Sequence, residues 1–122
     1  MTETGFLTKT AFSDLHISSD DEQGFRPFQL FLSSLAGCSG EVMRTILRKK
    51  RISFSSIQIR TEVEQSTRGR IVSVHLHFVV TGQQLEHAMM EKVLALTKRH
   101  CPIAKSVQSA ITITESITLK EG

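Results

Sequence analysis

The chain has 122 residues, 15 Lys and Arg against 12 Asp and Glu, and neither Trp nor Tyr. That length suits a single domain, residues 1–122, with a core large enough to fold without disulfide staples. Without Trp or Tyr a stacking platform for single-stranded nucleic acid is not expected, and the net charge of +3 comes with no groove-reading motif, so no nucleic-acid partner is expected.

The N-terminus, Met1-Thr2-Glu3-Thr4-Gly5, has neither a basic leader nor an apolar stretch behind it. No apolar run approaches the ~18 residues of a membrane span. A cytoplasmic protein with no membrane partner is therefore expected. In that compartment a cysteine pair is catalytic, redox-sensing or metal-binding rather than a static staple.

Phe6 to Ile17, rich in Thr, Phe, Leu and Ile, reads as one strand or a hairpin turning near Ser13-Asp14. Ser18 to Gly24 is a polar loop. Pro27 suits the first turn of a helix, where its missing N–H costs nothing, and the helix runs to about Lys50. Arg48-Lys49-Lys50-Arg51 at its end complement the helix dipole. Phe31, Leu35, Cys38, Val42 and Ile46 form an apolar stripe at helical spacing. Ser33, Ala36, Gly37 and Gly40 form a neighbouring stripe of small residues. Each glycine inside a helix costs roughly 1 kcal/mol relative to Ala. Close approach of another backbone, within the domain or at a subunit interface, is expected to offset that.

Ile52 to Gln65 contains the alternation Ile57, Ile59, Thr61, Val63 of a half-buried strand, and Ser66-Thr67-Arg68-Gly69 is a hairpin turn. The return strand, Ile71 to Val80, puts Val72, Val74, Leu76, Phe78 and Val80 on one face. Gln83 to His100 reads as a second helix whose apolar face is Leu85, Ala88, Met89, Val93 and Leu96. Met90, Leu94, Thr97 and Cys101 make a neighbouring stripe. Pro102 ends it and starts a short third helix through about Ser109. Ala110 to Leu119 is a last strand. The order predicts an α+β fold with a largely antiparallel sheet, a long buried helix and a C-terminal helix pair.

Cys38 and Cys101 are the only thiols. Cys38 lies about ten residues into its helix, roughly 15 Å along the axis, beyond the reach of the dipole. A thiolate there needs a cation from another segment, and Glu41, one turn on, opposes it if close. Cys101 falls at the N-cap of the third helix, where free N–H groups favour a thiolate, with Arg99 and His100 adjacent. Each cysteine also fits a simple packing role. His75 and His77 share one strand face and could bind a metal with a thiol, but an exposed sheet face is the better reading, and no metal or cofactor is expected.

The run Pro27-Phe28-Gln29-Leu30-Phe31-Leu32-Ser33-Ser34-Leu35-Ala36-Gly37-Cys38-Ser39-Gly40 resembles the central-helix motif of the OsmC/Ohr family, the osmotically inducible and organic hydroperoxide resistance proteins. Arg99-His100-Cys101-Pro102-Ile103 is similar to that family's second cysteine motif. The resemblance implies an intertwined homodimer with its long helices buried between sheets from both chains. It also implies a peroxidase: Cys38 attacks the O–O bond of an organic hydroperoxide, Cys101 condenses with the resulting sulfenic acid, and a lipoyl-type dithiol resets the pair. The chain departs from the motif at Phe28, where peroxidase members carry a glutamate that orients an arginine from an N-terminal loop. Arg26 is the candidate substitute. The alternative is a non-catalytic relative that binds an apolar small molecule or senses redox state.

Overall fold

The computed structural model describes residues Met1–Gly122, which divide into a smaller unit, Met1–Ser34, and a larger one, Leu35–Gly122. In the first unit β1 (Phe6–Lys9) and β2 (Asp14–Ile17) form an antiparallel hairpin, with Phe6 opposite Ile17 and Lys9 opposite Asp14. Its turn is Thr10 to Ser13, slightly earlier than expected. The Thr10 N–H donates to the Ser13 carbonyl at 3.1 Å, and the Thr10 hydroxyl accepts from the Ser13 N–H at 3.1 Å.

The long helix α1 spans Pro27–Lys49. Pro27 is its first residue, and the Gln29 side chain accepts the Arg26 N–H at 3.1 Å, one half of a capping box. At the other end Arg51 takes a left-handed conformation, φ 57°. The Ile52 N–H then returns to the Leu47 carbonyl and the Arg51 N–H to that of Arg48, so a Schellman motif closes the helix with Arg in glycine's usual place.

In the second unit β3 (Ser56–Gln65), β4 (Ile71–Thr81) and β5 (Thr112–Lys120) form one sheet in the order β3-β4-β5. β3 and β4 are an antiparallel hairpin, whereas β4 and β5 are parallel. The sheet is thus mixed. The helices α2 (His87–His100) and α3 (Pro102–Val107) lie between β4 and β5 in the chain and provide the crossover that parallel pairing needs. α2 starts later than its sequence pattern suggests because Gln84 is left-handed, φ 59°, and cannot join a right-handed helix.

β4 supplies the middle of the core, with Val74, Leu76, Phe78 and Val80 all fully buried. The buried helix faces are offset by one residue from the expected stripes. On α1 the buried residues are Leu35, Ser39, Met43 and Leu47, while Cys38, Val42 and Ile46 are half-buried. On α2 they are Met90, Val93, Leu94 and Thr97, while Ala88 is exposed and Leu85, Met89 and Leu96 are half-buried. Both helices therefore keep an apolar stripe outside the core. The small-residue stripe is not covered within the chain: Ser33 and Gly37 are exposed, and nothing lies within 4 Å of where a Gly37 Cβ would stand. Only Gly40 meets a close neighbour, the Ile59 Cδ1 at 3.1 Å. No helix is long and apolar enough to cross a membrane.

One carboxyl sits on the core side of this sheet. Glu115 stands opposite Leu76 in the β4–β5 register, between Ile113 and Ile117 along β5. Burial raises its pKa from the ordinary 4.5 to about 7, with Lys98 on α2 opposing. The folded state then holds a proton that the unfolded chain releases near pH 4.5, so stability falls as pH rises from about 4.5 to about 7 and is level above. Glu115→Gln removes that slope. Denaturant titrations across this range should show the variant equal to the parent near pH 4 and more stable at pH 8, by on the order of 1 kcal/mol after discounting for the solvent that reaches the group.

Candidate active site

The apolar stripe of α1 left outside the core lines a cleft of about 610 Å³ together with residues of α2 and α3. Cys38, Val42 and Ile46 come from α1, Leu96 and His100 from α2, and Pro102 from α3. Glu41, Thr45 and Lys49 complete its lining. The offset that takes Cys38 out of the core thus puts its sulfur on the cleft surface.

Cys101 lies beside it but is differently placed. It is fully buried, whereas Cys38 is half-buried, and both are free thiols. Pro102 fixes the junction: the residue before a proline is held extended, and Cys101 has φ −77° and ψ 110°. Cys101 is the N-cap of α3, as expected, but its side chain makes no capping bond. The free N–H of Ile103, in the first turn of α3, instead acts on Cys38 and draws its thiol pKa down. The helix terminus expected to serve Cys101 therefore serves its partner.

Cys38 stays above the ordinary thiol value of 9.0 nonetheless. Burial pushes it up, the Ile103 N–H pulls it down, and Cys101 pushes it up again as a hydrogen-bond partner and as a charge. Glu41 contributes nothing here; its carboxylate is bonded by Arg44 one turn further along. Arg26 belongs to the first unit, where its Nε lies 3.8 Å from the Asp21 carboxylate and both side chains are exposed.

Sequence reasoning gave Ser39 no role. It is buried, 1% exposed, and its hydroxyl donates to the Cys101 sulfur at 3.3 Å. The signal was present: Ser39 is the polar member of the Leu35-Ser39-Met43-Leu47 stripe, and a buried hydroxyl needs a partner. His75 and His77 point to the other side of the sheet. His75 bonds with the hydroxyls of Thr114 and Ser116, and His77 with those of Ser116 and Thr118. No group of three or more His, Cys, Asp or Glu side chains converges on a metal-sized site. The combination of these histidines with a thiol is not assembled.

The α+β chain thus sets one free thiol on a cleft and a second, buried one at a helix junction. The family model described as OsmC-like protein matches residues 19–116, and the chain belongs to that family. It is 27% identical over 93 residues to protein YhfA of Escherichia coli, across 74% of this chain and 69% of that one. Among solved structures it superposes on a hypothetical protein from Aquifex aeolicus with a TM-score of 0.88 at 23% identity, covering 100% of this chain and 92% of the other. It superposes with a TM-score of 0.67 at 17% identity on an OsmC organic hydroperoxide resistance protein from Legionella pneumophila, covering 93% and 79%.

The effect of Cys101 on its neighbour can be measured directly. Cys101→Ser removes a sulfur whose charge opposes ionisation of Cys38. Iodoacetamide should then alkylate Cys38 faster at pH 8 than in the parent, followed peptide by peptide in mass spectra. An unchanged rate would show that the two thiols do not interact.

Proposed function

We propose that this chain is a thiol-dependent peroxidase that reduces organic hydroperoxides in oxidative stress defence. The observation that carries the reading is the unequal placement of the thiols, with Cys38 on an apolar cleft and Cys101 buried against it. Membership of the OsmC-like family supports a peroxide-related redox role, and the Legionella relative is named for organic hydroperoxide resistance. The Cys38 thiolate attacks the outer peroxide oxygen, breaking the O–O bond; the alkoxide leaves with a proton as an alcohol. Cys38 is then a sulfenic acid. Cys101 attacks that sulfur, the S–S bond forms and water leaves. A dithiol of the lipoyl type supplies two electrons and restores both thiols. A cytoplasmic setting keeps them reduced between turnovers.

Val42, Ile46 and Leu96 around Cys38 favour an alkyl or lipid hydroperoxide over hydrogen peroxide. Activation rests on the Ile103 N–H, and Lys49 and His100 line the same cleft. Arg26 fills the role of the family arginine only if it leaves Asp21. The reading also makes the chain half of a homodimer, in which a second copy covers the open cavity of about 400 Å³ lined by Ala36, Gly37, Gly40, Ile57 and Ile59. Sedimentation velocity should give a dimer; a monomer at micromolar concentration would remove this element.

A raised Cys38 pKa and Phe28 favour the second reading, a redox sensor or a non-catalytic binder of an apolar molecule in the same cleft. Turnover separates the two. Reduced protein with a dithiol should consume cumene hydroperoxide faster than hydrogen peroxide, with a rate rising about tenfold per pH unit below the Cys38 pKa. Cys38→Ser should lower that rate by at least ~100-fold, since no other thiol faces the cleft. Thiols reacting no faster than free cysteine would overturn the peroxidase.

A further inference from the structure

We propose that Ser39 is a positioning residue that polarises the Cys38–Cys101 disulfide, so that the incoming reductant bonds to Cys38 and Cys101 departs as the thiolate. This rests on the reading that the two thiols form a disulfide in the working cycle. Three observations carry it. The Ser39 hydroxyl donates to Cys101 at 3.3 Å. Ser39 and Cys101 are 1% and 0% exposed, so no water competes for that bond. Cys38, by contrast, lines the cleft from which a reductant must come, and Cys101 does not.

Thiol–disulfide exchange needs an attacking thiolate, access to one sulfur and a stabilised leaving group on the other. The reductant thiolate forms an S–S bond to Cys38, the Cys38–Cys101 bond breaks, and its electron pair passes to the Cys101 sulfur. Negative charge therefore develops where the Ser39 hydroxyl already points. A hydrogen bond to a charged acceptor is roughly twice as strong as one to a neutral acceptor, so Ser39 holds the departing thiolate more firmly than the disulfide. The second thiol of the reductant then displaces Cys38, which leaves as a thiolate facing the Ile103 N–H, and closes the reductant's own disulfide. Two electrons move, and no other reactant is required.

The same bond sets the poise of the pair. Stabilising the reduced form makes a disulfide more oxidising. Losing a charge-assisted hydrogen bond on the leaving sulfur corresponds to roughly a tenfold change in rate and in equilibrium constant.

The test starts from protein oxidised with diamide, so it does not depend on any peroxidase activity. Brief exposure to 2-mercaptoethanol followed by acid quench should give a mixed disulfide on Cys38 in peptide mass spectra. Ser39→Ala, a smaller side chain that suits a helix, should slow reduction by dithiothreitol about tenfold. It should also lower the reduction potential by about 30 mV in a dithiothreitol redox buffer. A merely structural serine would shift the unfolding midpoint without moving the potential. The adduct on Cys101, an unchanged rate and potential in Ser39→Ala, or failure of diamide to join Cys38 to Cys101 would each overturn the proposal. Cumene hydroperoxide that leaves Cys38 unoxidised while diamide forms the disulfide would overturn the peroxidase reading alone.

Discussion

The bend at Cys101-Pro102 is the constraint around which the thiol site is arranged. Pro102 has no N–H to continue α2 and a ring that holds Cys101 extended, so one helix ends and another begins within a single residue. With that change of direction the first free N–H of α3 reaches the Cys38 sulfur, while Cys101 stays inside with its sulfur against Ser39. A continuous helix through this point would satisfy the Ile103 N–H internally and leave Cys38 with burial alone. Pro102 also lines the cleft, so the residue that makes the junction shapes the space in front of the thiol.

Burial and activation oppose one another here. The apolar surroundings that suit an alkyl chain are the surroundings that keep Cys38 protonated. One backbone N–H is a neutral donor and lowers a thiol less than a full cation does. The cleft is not uniformly apolar, since Glu41, Lys49 and His100 belong to the same lining as Val42, Ile46 and Leu96. A ligand entering there meets an apolar wall edged by polar and charged side chains.

Much of this was legible from the residues. The order of elements, the Pro27 helix start, the β3–β4 hairpin and the N-cap position of Cys101 all follow from local chemistry. The facing of the helices did not. α1 carries two overlapping stripes, Leu35-Ser39-Met43-Leu47 and Cys38-Val42-Ile46, and the second is the more uniformly apolar. Periodicity ranks it first. The core took the other, and there the Ser39 hydroxyl found a buried sulfur to bond. That partner lies 62 residues away in sequence, beyond any local pattern. The direction of the Ile103 N–H was hidden for the same reason.

Adjacent residues on a helix point about 100° apart, and α1 uses that step at Cys38 and Ser39. The first faces the cleft and the second faces the core, where it meets the other thiol. Shifting the buried stripe by one residue would put Cys38 inside, out of reach of a peroxide, and Ser39 outside, where water would occupy its hydroxyl. The half-burial of one thiol and the hydrogen bond to the other are therefore a single choice of helix rotation. In the proposed cycle that rotation decides both which sulfur meets the oxidant and which sulfur is released when the disulfide opens.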